Sequence, residues 1–268
     1  MYEMQNQNNQ LGTPMFQQDQ QSIRAIEEVK AQIFMAKQFP RDYNNAKNRI
    51  IDNCKRAGLA QAAIFRLPRG GKNFVEGASI RLAEELARNW GNLEFGVKEL
   101  ESTDEYTKSE AYCWDMENNF RQKKEFTVYH SRKVRGNIEK VTDPAQIHEL
   151  VNARASRYLR NCIIACIPSE IVESAVTQCK ETMLSGAKSP LQDRIFQALN
   201  VFRDELGVTK QQIEANRGKD ADLFGEADLM DLITIYNSIK EGVMTVEENF
   251  PKIENKPNDQ LGSFGGQK

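Results

Sequence analysis

Apolar positions recur with a helical period from the first clear signal in the chain. Ile23, Ile26, Ile33 and Phe34 lead up to Pro40, and Ala46, Ile50, Ile51 and Cys54 continue in a second helix that ends at Gly58. The period then falls to two. In "QAAIFRLPRGGKNFVEG" two short strand-like pieces flank Pro68-Arg69-Gly70-Gly71-Lys72, residue types that permit chain reversal, so the stretch predicts a hairpin with a basic tip. "GASIRLAEELARNWGN" returns to helical spacing, placing Ile80, Ala83, Leu86, Ala87 and Trp90 on one face with Gly91 as a C-terminal cap. Three alternating segments follow, "NLEFGVKEL", "SEAYCWDM" and "KKEFTVYH". The turn Met116-Glu117-Asn118-Asn119 between the last two predicts an antiparallel meander.

Asp143-Pro144 opens the next helix, with Asp143 as N-cap, Pro144 at the first helical position and Gln146 placed for a capping contact. Pro168 closes or kinks it, and another helix runs from about Ser169 to Leu184. After the linker-like "SGAKSP", residues 191–250 read as a small helical unit. Ile195, Phe196, Leu199 and Phe202 mark one helix, and Leu229, Leu232, Ile233, Tyr236 and Ile239 another. Residues 1–21 are rich in Gln and Asn, with too little apolar content to bury, and are expected to be a disordered arm; the Gly-, Asn- and Lys-rich residues 251–268 are expected to be a loose tail. The expected class is α+β. An antiparallel meander and the hairpin pack against helices in a core spanning 22–185, followed by an all-helical domain over 191–250.

Composition adds two constraints. The 268 residues are 40% hydrophobic and 28% charged, with a mean hydropathy of −0.63. No apolar run approaches the roughly 18 residues of a spanning helix, and no basic segment precedes an apolar one at the N-terminus, so a soluble cytoplasmic protein with no membrane partner is expected. Cys54, Cys113, Cys162, Cys166 and Cys179 are odd in number and scattered among apolar positions, which argues for reduced core thiols rather than a disulfide framework. Charge matters once it is split. Arg121 to Arg160 holds ten Lys/Arg against four Asp/Glu, whereas Leu191 to Phe250 holds six against twelve, so a formal total of −2 hides two opposite regions. A basic middle suits a polyanion such as nucleic acid, or is an ordinary solvated surface.

The helix "VNARASRYLRNCIIACIPSEIVESAV" sharpens the choice. At 100° per residue Arg154, Arg157 and Arg160 fall within an arc of about 120°, while Val151, Ala155, Tyr158, Leu159 and Cys162 occupy much of the other side. Guanidinium groups spaced along such a rod can hold successive phosphates, or can pair with acids on a neighbouring element. Arg66, Arg69 and Lys72 form a second basic group in the hairpin, near Phe65 and Phe74. Arg132, Lys133 and Arg135 form a third in the loop expected after the third meander strand, near Tyr129 and His130. A cationic track with nearby aromatic rings suits single-stranded nucleic acid, although core packing equally accounts for Phe65 and Phe74.

Other chemistries fail on spacing. A phosphate-loop pattern around Gly71-Lys72 would need Gly at Arg66 and Ser or Thr at Asn73. Cys162 and Cys166 lack a matching Cys/His pair, and His130 and His148 are the only histidines, so no metal or cofactor is expected. No triad-like arrangement suggests a nucleophile, and no catalytic residue is assigned.

With helix, hairpin, helix, meander and arginine helix in that order, the chain resembles the phage RecT/Redβ single-strand annealing proteins over roughly residues 50–179. "VEGASIRLAEELARNWGNLEFGVKELE" is similar to that family's segment in which a helix ending in an "LAR"-like string leads into a strand. "SEAYCWDMENNFRQKKEFTV" is similar to its following hairpin, and the arginine helix with Pro168 to its basic helix. Arg157 matches a basic position of that helix, whereas Asn161 and Cys162 stand where a basic pair is expected.

The resemblance implies a non-enzymatic, ATP-independent recombinase, phage- or plasmid-encoded in a bacterial host. It would coat single-stranded DNA as a homo-oligomeric ring or helical filament and promote pairing with a complementary strand, holding both single strands and the annealed duplex, in recombination and repair. The acidic helical unit resembles C-terminal domains attached to such cores and would contact a partner exonuclease or the host single-strand binding protein; alternatively it would lie over the basic groove and compete with DNA. A single-stranded-DNA-binding module without annealing activity is the alternative reading, and a metal-dependent nuclease or a purely structural scaffold stands behind it.

Overall fold

The computed structural model describes residues 13–68, 74–134, 137–185 and 189–250. The chain is α+β, with small antiparallel sheets among helices. In order, the elements are α1 (Thr13–Gln38), α2 (Tyr43–Cys54), α3 (Ala57–Ala62), β1 (Ile64–Pro68), β2 (Phe74–Ala78), α4 (Ile80–Trp90), β3 (Leu93–Ser102), β4 (Tyr106–Asp115), β5 (Phe120–Tyr129), β6 (Ser131–Val134), β7 (Asn137–Lys140), α5 (Pro144–Ala165), α6 (Ser169–Ser185), α7 (Leu191–Leu206), α8 (Lys210–Arg217), α9 (Glu226–Lys240) and α10 (Val246–Asn249). They divide into two compact units. One comprises Met1–Cys54 with Ile80–Thr177, the other Lys55–Ser79 with Gln178–Lys268.

In the first unit the expected meander is the antiparallel sheet β3-β4-β5. Period two sorts its residues: Ala111, Cys113 and Asp115 of β4 are buried on one face, and that face carries α5. The Tyr158 ring stacks on Phe126 at 4.5 Å. Cys162 Sγ donates to Ala111 O at 3.4 Å, and one helical turn later Cys166 Sγ donates to Cys113 O at 3.5 Å. Small thiols at these places let the helix backbone approach the sheet closely. A separate contact between the two thiols, and then burial, push the Cys113 thiol well up, whereas the same thiol contact holds Cys166 down. All five cysteines are free and buried. Asp143 caps α5 as expected, its carboxylate accepting from Gln146 N at 3.2 Å with Pro144 at the first helical position.

Behind α5 lies α4, which buries Leu82, Ala83, Leu86, Ala87 and Trp90 and packs on α2 through Ala46, Ile50 and Cys54. Arg41, between α1 and α2, ties this layer to the sheet. Its guanidinium donates to both carboxylate oxygens of Asp115 at 2.8 and 2.9 Å and to Gly91 O at 3.1 Å, and lies 4.8 Å from the Trp90 ring centroid. Burial alone would raise the Asp115 carboxyl, but Arg41 and Asn118 hold it below its ordinary value.

Two expectations change here. Helix α1 begins at Thr13, inside the stretch expected to be a disordered arm, while residues 1–12 lie outside the described residues. Its apolar positions are not core: Ile23, Ile26 and Phe34 are exposed, and of the residues whose burial is described only Ala36 is buried. Helical period marks an apolar stripe without saying what covers it. The stretch holding Arg132 and Lys133, read as a loop, is instead part of the two-stranded ribbon β6-β7.

The second unit brings together segments expected in different domains. The hairpin β1-β2, expected in one core with the meander, packs with the C-terminal helices through contacts of β1 and α3 with α9. Ser238 Oγ accepts from Arg66 N at 2.6 Å, and Asn237 Nδ2 donates to Gln61 O at 2.6 Å. Arg66 is only 8% exposed and pairs with Asp231 at 2.8 Å and Glu76 at 3.8 Å. Asp231 also pairs with Arg217, which reaches Asp228. Opposite Phe65, a Cβ on Gly77 would stand 2.9 Å from the ring, so glycine is what lets the aromatic side chain lie across the pair. The core is Ile195, Phe202, Val208, Ile213, Phe224, Leu229, Leu232, Ile235 and Phe250, with Phe202 and Phe250 edge to face at 5.5 Å. Phe196, expected on the apolar face of its helix, is 65% exposed. The expected tail, 251–268, lies outside the described residues.

Two stability predictions follow from these ion pairs. Replacing Arg41 by Met leaves the Asp115 carboxylate buried without its partner and is expected to cost about 3 kcal/mol in urea unfolding, with Arg41→Lys recovering part of it; an unchanged midpoint in Arg41→Met would refute the clamp. Asp228 is held down to about 2 against burial, by Lys219, the Gly225 N–H and Arg217. A depressed carboxyl stabilises above its unfolded value of 3.8, so about 2 kcal/mol present at neutral pH is lost as pH falls from about 4 to about 2. Urea midpoints measured across that range should flatten in Asp228→Asn.

Candidate nucleic-acid interface

The basic residues singled out in the sequence separate into three groups. Arg154 and Arg157 are exposed on α5, three residues and so about 4.5 Å of helix rise apart. Neither has a hydrogen-bond or ion-pair partner among the described residues. Their position follows from the packing just described. The helix turns Ala155, Tyr158 and Cys162 to the sheet and carries α4 as well, which leaves 154 and 157 on the flank that neither covers. Arg160 departs from the expected row: at 5% exposure it is buried with Ile163 and is engaged there. The arc of about 120° was too wide for one solvent face, because α4 packs against α5 as well as the sheet.

Arg66 leaves the site for a different reason, since Asp231 and Glu76 neutralise it within the second unit. Arg69, Lys72 and Arg135 lie outside the described residues. Lys133 sits in β6, in register with Ile138, and Arg132 is exposed in the same strand.

Strand β5 contributes cations that were counted in the sequence but not assigned. Alternation sends Arg121 and Lys123 to the sheet face opposite α5, and Lys124 to the face that α5 covers, where its charge acts on Cys162. Burial nonetheless raises the Cys162 thiol. Lys124 remains exposed with no acidic partner, and so does Arg121. Lys123 is paired with Glu110 at 3.1 Å, and the adjacent Lys108 with Glu125 at 2.9 Å. The signal that would have found Arg121 and Lys124 is period two within "FRQKKEFTV": Arg121, Lys123 and Lys124 distribute over both faces of the strand, and Glu125 is the one acid among them.

Aromatic groups accompany Arg121. Its guanidinium lies 5.5 Å from the Tyr112 ring centroid and 5.9 Å from that of Trp114, and Lys98 Nζ covers Tyr112 at 4.9 Å. Tyr112 reaches across β3 because its neighbour there is Gly96, where a Cβ would stand 3.2 Å from the phenol oxygen; the phenol donates to Glu94 Oε1 at 3.2 Å. Burial and then Glu94 push its pKa up, so it stays a donor through neutral pH. Trp114 is partly exposed, with Nε1 donating to Asn119 Oδ1 at 3.3 Å.

The arrangement therefore offers guanidinium and ammonium groups free for an anion on two packed elements, α5 and β5, and an aromatic edge beside one of them. Lys124, Arg154 and Arg157 can each take a phosphate; Arg121 and Trp114 can take a phosphate and a ring. Among the described residues no cluster of three or more His, Cys, Asp or Glu could hold a metal ion, and no single helix is long and apolar enough to cross a membrane. Comparison of the chain with protein-family models, with curated proteins and with solved structures finds no match.

Proposed function

We propose that the protein is an ATP-independent single-strand annealing protein of the RecT/Redβ kind, which holds single-stranded DNA by its phosphates and promotes pairing with a complementary strand. The observation that carries this reading is the set of unpaired cations Arg121, Lys124, Arg154 and Arg157 on β5 and α5, in a unit that also has a partly exposed tryptophan. Cations left without acidic partners on one folded unit suit a polyanion that neutralises them. Phosphate contacts carry no sequence information, which suits a protein whose specificity comes from base pairing.

Support for a homo-oligomer comes from α1, whose Ile23, Ile26 and Phe34 are apolar and exposed on a helix that buries little against its own unit. A protomer that coats a strand needs such apolar surface for its neighbours. The acidic helices over 191–250 would serve a protein partner, an exonuclease or the host single-strand binding protein.

Changing Arg154 and Arg157 together to Ala is expected to weaken binding of an unstructured oligonucleotide at least tenfold. It should also reduce the slope of log affinity against log salt by roughly 1.4, about 0.7 for each single-strand phosphate that the variant no longer neutralises. An unchanged slope in a folded variant would remove the two arginines from the interface. Arg160→Ala, at a buried position, should lower stability and leave the slope alone. Annealing itself is read by mixing complementary oligonucleotides with and without protein. Pairing faster than the spontaneous rate supports the proposal, and binding without acceleration favours a simple single-strand binding module.

A further inference from the structure

The ribbon β6-β7 has a feature that phosphate binding does not use. Ile138, on β7, is 80% exposed, above every other exposed large apolar side chain among the described residues. Its neighbours Asn137, Glu139 and Lys140 are exposed too, as is Arg132 across the ribbon. An aliphatic side chain so placed gains nothing from the fold, and β7 buries no residue of its own.

The root of the ribbon, by contrast, is fixed. His130 is 3% exposed with its Nε2 2.9 Å from Thr107 Oγ1, Val141 is 4% exposed, and Val141 N donates to His130 O at 2.8 Å. His130 N in turn donates to Glu105 O at 2.8 Å, which binds the root to the β3–β4 turn of the meander. The ribbon is therefore a finger of two paired strands on a fixed base, with β7 exposed throughout.

Charge says what the finger meets. The register sets Ile138 opposite Lys133 and places Lys140, an exposed cation without an acidic partner among the described residues, two residues along on the same face, whereas Arg132 lies on the other face across from Glu139; by sequence, residues 131–140 hold four Lys/Arg against one Glu. A second protein would have to desolvate these cations, whereas a nucleic acid neutralises them. Two-stranded ribbons fit nucleic-acid grooves, and exposed aliphatic side chains flanked by cations act as wedges between base steps.

We propose that Ile138 is a wedge that enters the base stack of the bound strand, separating two adjacent bases while Lys140, on the same face of the ribbon, holds a flanking phosphate. This rests on the nucleic-acid reading above and adds a base-contacting residue to it. Interrupting the stack at intervals holds unpaired bases apart with their pairing edges open to a complementary strand.

The test uses the full chain and an oligonucleotide carrying 2-aminopurine, whose fluorescence rises when it is unstacked, with the Arg154/Arg157 double variant for comparison. Wild-type protein at saturation is expected to raise the signal about threefold. Ile138→Ala, at an exposed position, should bind within about threefold of wild-type affinity yet give less than half that rise, and Ile138→Leu should restore it. Wild-type protein that does not bind the oligonucleotide overturns the nucleic-acid reading and the wedge together. Tight binding with an undiminished rise in Ile138→Ala overturns the wedge alone. A change of oligomeric state in Ile138→Ala with an undiminished rise also overturns it, and assigns Ile138 to the interface between copies.

Discussion

The close seating of α5 on the meander is the interaction from which the candidate interface derives. Cys162 and Cys166 against the carbonyls of Ala111 and Cys113, and Tyr158 flat on Phe126, fix the rotation of the helix about its own axis. A rotation of one residue would be about 100°, enough to bury Arg157 or expose Arg160. Side chains smaller than leucine at 162 and 166 are therefore as important to the placement of the arginines as the arginines themselves. The same seating puts Lys124 beside the helix, so that cations from two elements share one unit.

The two ends of the sheet are stabilised differently. At the β4–β5 turn the clamp is ionic, Arg41 on Asp115, and Asp115 also accepts from the backbone of Glu117 and Asn118. At the other end the interior is a short chain of hydroxyl and imidazole groups, Ser102, Thr107 and His130. A sheet of three strands has little core of its own, and these anchors limit the freedom of the surface that would face DNA.

Much of the local structure was legible in the sequence because its signals are local. The N-cap at Asp143, the stop at Pro168, the strand in "SEAYCWDM" and the apolar face from Ala83 to Trp90 all stand where spacing put them, although Ser109 to Cys113 are buried on both faces of that strand. What spacing does not carry is the identity of the partner surface. Arg66 and Arg160 share the chemistry of Arg157, but one meets Asp231 far along the chain and the other lies on the side of α5 that turns inward. The stripe on α1 shows the converse, since a helical period is present and no core covers it. The ribbon β6-β7 was missed because a four-residue strand with charges at alternate positions does not differ from a polar loop until its backbone partner is known.

The union of β1-β2 with the C-terminal helices sets an order on how the chain is completed during synthesis. The Arg66 amide and its Ser238 acceptor are 172 residues apart, so the hairpin emerges from the ribosome long before the helix that receives it exists. Ile64, fully buried in the finished molecule, must wait without its cover while the whole meander is made and can fold. At roughly 5–20 residues per second that interval lasts on the order of ten seconds or more, a window in which a nascent strand edge is open to chaperones or to another unfinished copy.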